Sequence, residues 1–163
     1  MTKDYFQIRV RDSVGLLLPI TETVEVITCL RKEICPIPGV VSPLRGVLNQ
    51  RGRLLWILGL GDLLGLSRKD QKRRAQDKLT VVILSSQTEA NQMRLGAVVS
   101  QLQGIVSVAD DRIAPVSPKM RSEASIFFDG ITTIERKKVG LINVSQIFEH
   151  LQQTSLSNYA LLN

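Results

Sequence analysis

The chain has 163 residues, enough for one domain or two small subdomains sharing a core, and it folds without needing disulfide or metal staples. Hydrophobic residues make up 44%, charged residues 22% and aromatics only 4%, so the core is built from Leu, Ile and Val, a composition that favours strands. The net charge of +6 invites a nucleic-acid partner, so where that charge lies matters.

The opening residues "MTKDYFQIRV" carry charges in their first dozen positions and have no signal-peptide apolar region, which predicts a reduced, cytoplasmic protein. "YFQIRV" at 5–10 and "GLLLPI" at 15–20 are short strands punctuated by polar residues, and "VEVI" at 24–27 is a third. Cys29 and Cys35 are the two cysteines, and with the single, distant His150 they make a poor metal set. A disulfide between them is the weaker alternative to two free thiols.

Residues 46–66, "GVLNQRGRLLWILGLGDLLGL", form the most apolar stretch. A spanning helix needs about 20 uncharged apolar residues. The run 54–66 has thirteen residues and already contains Asp62. The glycines superficially resemble a dinucleotide loop, but their spacing is G-x-G-x-x-x-G, with Asp62 where a phosphate would approach. The remaining reading is a strand at 46–49, a turn at 50–53 in which Gly52 supplies a positive φ, and a strand at 54–58. One capped helical turn at 62–66 then ends near Gly65. An unbroken apolar strand of this kind is covered on both faces, and Trp56 belongs to the core.

The segment 68–78, "RKDQKRRAQDK", holds six basic and two acidic residues, so most of the net charge sits in one run. It offers no apolar stripe and no stacking aromatic, which fits a solvated connection better than a nucleic-acid groove. Strands follow at 79–86 ("LTVVILSS") and 94–101 ("RLGAVVSQ").

The chain repeats itself. Residues 130–148 align with 46–64 at a constant shift of 84, Gly46 falling on Gly130, Ile57 on Leu141 and Leu64 on Phe148. "GLLLPI" aligns with "GAVVSQ" at a shift of 81. Two such shifts in the same order predict two similar units. The expected architecture is mostly β: two small β-barrels packed together, with the apolar strand of 46–66 buried between them. The expected division of the single domain is a first barrel at about 15–67, a basic connecting loop at 68–78, a second barrel at about 79–151 sharing the strand at 5–10, and a tail at 152–163.

Arg45-Gly46-x-x-Asn49-x-Arg51-Gly52, followed by an apolar strand and "LGDLLGL", resembles the CheW family, the coupling proteins of bacterial chemosensory arrays. The resemblance covers roughly residues 5–151 and includes "RLGAVVSQLQGIVSV" and "GLINVSQIFEHL". It implies two packed five-stranded SH3-like barrels around a shared core, with short helices and a C-terminal helix, and no catalysis. It also implies a face that grips the regulatory domain of a CheA-like histidine kinase, and a groove for the cytoplasmic tip of a methyl-accepting receptor. The family's motif puts the partner-binding turn at Asn49, Arg51 and Gly52, with Arg53 beside it and Glu25 as the acidic partner of Arg51. The sequence departs from the family at Gln50 (usually Leu), Trp56 (usually Pro), Gly59 (usually Asp) and Ser100 (often Asp). A divergent copy serving phototaxis or pilus motility would fit those departures, with a response regulator as a possible direct contact and membranes reached only through receptors.

Three function classes follow. An adaptor needs no catalytic set, cofactor or metal, and none can be nominated. A nucleic-acid-binding β-barrel would use the basic run with Arg51 and Arg53. An enzyme would need a nucleophile with its base, and the serines have no His–Asp context.

Overall fold

The computed structural model describes residues 1–67, 72–86, 92–117 and 123–154, and these are mostly β. The first half of the chain forms β1 (Thr2–Val10), β2 (Val14–Pro19), β3 (Thr23–Leu30), β4 (Leu44–Gln50), β5 (Arg53–Gly59) and α1 (Leu60–Leu63). The second half forms β6 (Lys78–Ser85), β7 (Arg94–Val99), β8 (Gln101–Ala109), β9 (Phe128–Ile134), β10 (Lys137–Ile142) and α2 (Val144–Thr154). They pair into two five-stranded sheets of order β8-β1-β2-β10-β9 and β3-β6-β7-β5-β4.

Replacing each strand by its counterpart in the other half turns one order into the other. The halves therefore share one plan, and each leading hairpin, β1–β2 or β6–β7, lies in the sheet built by the other half's last three strands. β2 pairs in parallel with β10 and β1 antiparallel with β8; β7 pairs in parallel with β5 and β6 antiparallel with β3. The expected division at the basic run differs from this arrangement. β6 and β7 follow the run in sequence but belong with β3–β5, and β2 belongs with β1 and β10. Apolar alternation marks a residue as a strand residue but does not say which sheet receives it.

The repeat extends to backbone detail. Ile57 faces Gly46 and Leu58 faces Leu44, so Arg45 is bulged out of β4. At the same repeat positions Leu141 faces Gly130 and Ile142 faces Phe128, which bulges Asp129 out of β9. Each sheet then curls until its edges approach, and an isolated bridge (Cys35 to Val47, or Ala114 to Ile131) ties the incoming connection to the edge strand. The two glycines are needed for that approach. A Cβ on Gly46 would lie 2.0 Å from the Cys35 carbonyl oxygen, and one on Gly130 would lie 2.6 Å from that of Ala114.

Side-chain alternation feeds three apolar clusters. Along β5, Leu55 and Ile57 point into a core inside the second sheet, while Trp56 and Leu58 enter the large core between the sheets. β6 divides likewise, with Val81 and Ile83 inside and Val82 and Leu84 between. The first sheet encloses its own smaller cluster of Tyr5, Leu17, Val108, Val139 and Leu141. This is why 55–58 lacks polar alternation: burying each such Leu or Ile fully stabilises by about 1.5–3 kcal/mol, and both faces do so.

The short helix begins earlier than its expected cap at Asp62. Gly59 precedes its first residue, the Asp62 carboxylate is engaged by arginines, and Gly65 at φ 69° ends the turn. At the C-terminus α2 continues through residue 154, into the expected tail; 155–163 lie outside the described residues, as do 68–71 of the basic run. The described remainder of that run includes a turn held by Arg74 N–H donating to Asp77 Oδ2, and Lys32 N–H donates to its Ala75 carbonyl.

Candidate functional site

β4 and β5 are joined by a two-residue turn, Arg51-Gly52, between the register pair Gln50 and Arg53. Both turn residues have positive φ, 54° and 82°, the pattern that suits the twist of a tight hairpin. Gly52 adopts it without strain, and the Asn49 side-chain oxygen accepts the Gly52 N–H at 3.0 Å. Asn49 and Gly52 thus set the backbone on which Arg51 and Arg53 stand, both exposed.

Glu25 comes from β3, the opposite edge of the same sheet, and curling brings it to the turn. Its Oε1 accepts from Gln50 Nε2 at 3.1 Å and its Oε2 lies 3.6 Å from an Arg51 terminal nitrogen. The Glu25 side chain is 29% exposed while that of Arg51 is 78% exposed, so the carboxylate is the anchored member and the guanidinium the presented one. The structure brings Glu25, Asn49, Arg51 and Gly52 together; Arg53 flanks them in register without an ion pair among the described residues.

Three contributors were not singled out from sequence. Gln50, noted only as a departure from Leu, is the second hydrogen-bonding partner of Glu25; an amide in place of an apolar residue beside an acid–arginine pair was the available signal. Leu54, 63% exposed at the start of β5, and Val24, 41% exposed beside Glu25, add apolar surface to this end of the sheet. Nothing in an apolar strand pattern distinguishes Leu54 from its buried neighbour Leu55.

The other candidates are structural. Trp56 is buried in the inter-sheet core. Cys29 and Cys35 are free thiols, and burial, then the charge of Glu33, pushes the Cys29 thiol up, away from the reactive thiolate. His150 packs edge-on against Phe127 with ring centroids 5.2 Å apart. Among the described residues no group of three His, Cys, Asp or Glu could hold a metal ion, and no helix is long and apolar enough to cross a membrane.

Two curled five-stranded sheets related by an internal repeat, with an arginine turn at one end, define a CheW-like domain. The CheW-like domain model matches residues 4–152, and the chain belongs to that family. The scaffolding protein TtCheW from Thermoanaerobacter tengcongensis has a similar fold, with a TM-score of 0.71 at 18% identity over 88% of this chain and 90% of that one. No curated protein sequence matches the chain significantly.

Proposed function

We propose that the protein is a non-catalytic cytoplasmic adaptor that couples a chemoreceptor-type sensor to a CheA-like histidine kinase, with Glu25, Asn49, Arg51, Gly52 and Arg53 as its partner-binding turn. The observation that carries the reading is the Arg51 guanidinium: largely exposed, on a backbone fixed by Gly52 and Asn49, and oriented by a carboxylate that Gln50 holds from behind. An arginine already ordered in this way loses less freedom on forming a bidentate contact. Membership of a family of scaffolding proteins supports the same role. Gln50, Trp56, Gly59 and Ser100 set the copy apart from the usual pattern, and its array is proposed to serve phototaxis or pilus motility, with a response regulator as a candidate contact.

The test is a pull-down of the regulatory domain of the CheA-like kinase, with wild type and Arg51→Glu side by side. Capture by wild type and loss with the variant supports the reading. Failure of the folded wild type to capture either the kinase domain or a receptor tip overturns it.

A further inference from the structure

At the end of the second sheet remote from Arg51, a cleft of about 460 Å³ opens between the β1–β2 turn, the start of β6, the end of β7 and α1. Among the described residues its wall carries Arg11, Arg31, Arg45, Lys72, Arg73 and Lys78 against only Asp12 and Asp77. Arg11 and Arg45 both reach Asp62 behind the wall, and Arg31 reaches Asp77, so three guanidiniums share two carboxylates before the two lysines and Arg73 are counted.

The internal repeat supplies a control within the molecule. The counterpart cleft, about 470 Å³, lies between the start of β1, the end of β2 and the start of α2. Its charged wall residues are Asp4, Glu22 and Asp129 against Lys3. Arg45 and Asp129 occupy the same repeat position, each bulged from its strand by the same register shift, and a bulge re-aims the side chain it carries. The two clefts are matched in position and size and opposite in sign. Burial, then the nearby Asp129, pushes the Glu22 carboxyl up, which is the behaviour expected of an acidic wall.

We propose that the basic cleft is a second docking site, separate from the Arg51 turn, for an acidic, Asp/Glu-rich surface segment of a partner protein. The sign of the cleft selects carboxylates. Among the described residues its lining contains no aromatic on which a base could stack, and Asp12 and Asp77 interrupt the positive surface that a phosphate backbone would follow. Charge, and not shape, then distinguishes the two ends of a pseudo-symmetric scaffold and gives it a direction. This holds whether or not the Arg51 turn binds the kinase.

The experiment measures fluorescence anisotropy of a labelled alternating Glu-Asp peptide, with labelled oligothymidine of equal length in parallel, at low salt. Lys72→Glu combined with Lys78→Glu reverses two exposed wall charges and should weaken peptide binding by at least about 10-fold with an unchanged melting temperature. Lys137→Glu combined with Lys138→Glu changes net charge equally at an exposed site elsewhere and should leave affinity within about 2-fold. If the first pair disturbs folding, Lys72→Ala, outside every strand, should weaken binding in the same direction. Equal losses from both pairs, no peptide binding by wild type, or tighter binding of oligothymidine lost with the cleft pair would each overturn the proposal.

Discussion

Arg11 and Asp62 meet at 2.6 Å, with side chains only 18% and 11% exposed, and join the β1–β2 turn of one sheet to the helix that follows the last-paired hairpin of the other. The second Asp62 oxygen lies 3.7 Å from Arg45. The contact therefore fastens an exchanged hairpin to the half of the chain that did not build its sheet. Removing the shared acid leaves two mostly desolvated guanidiniums, and breaking such a pair costs about 3–5 kcal/mol when burial is complete. Asp62→Ala is expected to lose about 2–3 kcal/mol in urea unfolding, with a coupling energy to Arg11→Ala of at least about 1 kcal/mol. A loss below about 0.5 kcal/mol would show the pair to be incidental.

Gly46 has φ 139° and lies against the Cys35 carbonyl, so both backbone and space demand glycine there. Gly46→Ala should either pry the Cys35–Val47 bridge apart or distort the bulge, at a cost of about 2–4 kcal/mol. Ala at Gly52 strains a positive φ but meets nothing within 4 Å, so it should cost about 1 kcal/mol or less. Two thermal melts give the order, and equal destabilisation would refute the close-approach argument.

The strands, the paired apolar faces of 55–58 and the Gly46–Gly130 repeat were legible because they depend on local patterning. The partition into sheets was not. The sequence breaks at its basic run, but the hairpins on either side of that break are exchanged, and a long-range ladder such as β6 on β3 leaves no mark that a ladder of β6 on β8 would lack. At the site, Glu25 and Arg51 were legible through the family motif. Gln50 was not, because its role exists only once the sheet has curled and β3 has reached the end of β4. The opposed clefts were hidden for a related reason: Arg45 and Asp129 look like ordinary strand-end charges until the register shift re-aims each toward the cleft at its end of the sheet.

Glu22 yields a pH-dependent prediction. Burial first, then the Asp129 charge, raise its carboxyl above the ordinary value, with Lys3 acting in the opposite direction. A carboxyl raised on folding makes the native state bind the proton more tightly, so its contribution is most favourable below the unfolded value near pH 4 and declines as pH rises through the folded value. Glu22→Gln should therefore be neutral or slightly stabilising at pH 7, by about 0.5 kcal/mol at most given its exposure, with that gain shrinking toward pH 4. Urea unfolding of both proteins across pH 4–7 checks it. A gain that grows as pH falls would contradict the assigned direction.

Arg51 presents the sharpest separation of folding from recognition. Its ion pair with Glu25 is 3.6 Å long and one partner is 78% exposed, so the pair adds no more than about 1 kcal/mol to stability. Arg51→Glu should accordingly shift unfolding by about 1 kcal/mol or less while weakening kinase or receptor binding by about 2 kcal/mol, roughly 30-fold, as expected of a guanidinium anchor. Glu25→Arg alone should weaken binding less, since Glu25 acts by orienting Arg51 and the Gly52 N–H donated to Asn49 Oδ1 still holds the turn. Combining Glu25→Arg with Arg51→Glu restores the pair with reversed sign and should recover part of the folding loss. Its recovery of binding depends on which charge the partner presents: a carboxylate on the partner predicts recovery through an arginine now projecting from position 25, reduced because β3 carries it farther from the turn. Titration of the four proteins against the kinase regulatory domain, with a melt of each, closes the cycle. An Arg51→Glu protein that melts normally and binds at full strength removes Arg51 from the interface; one that fails to fold makes it a structural residue instead.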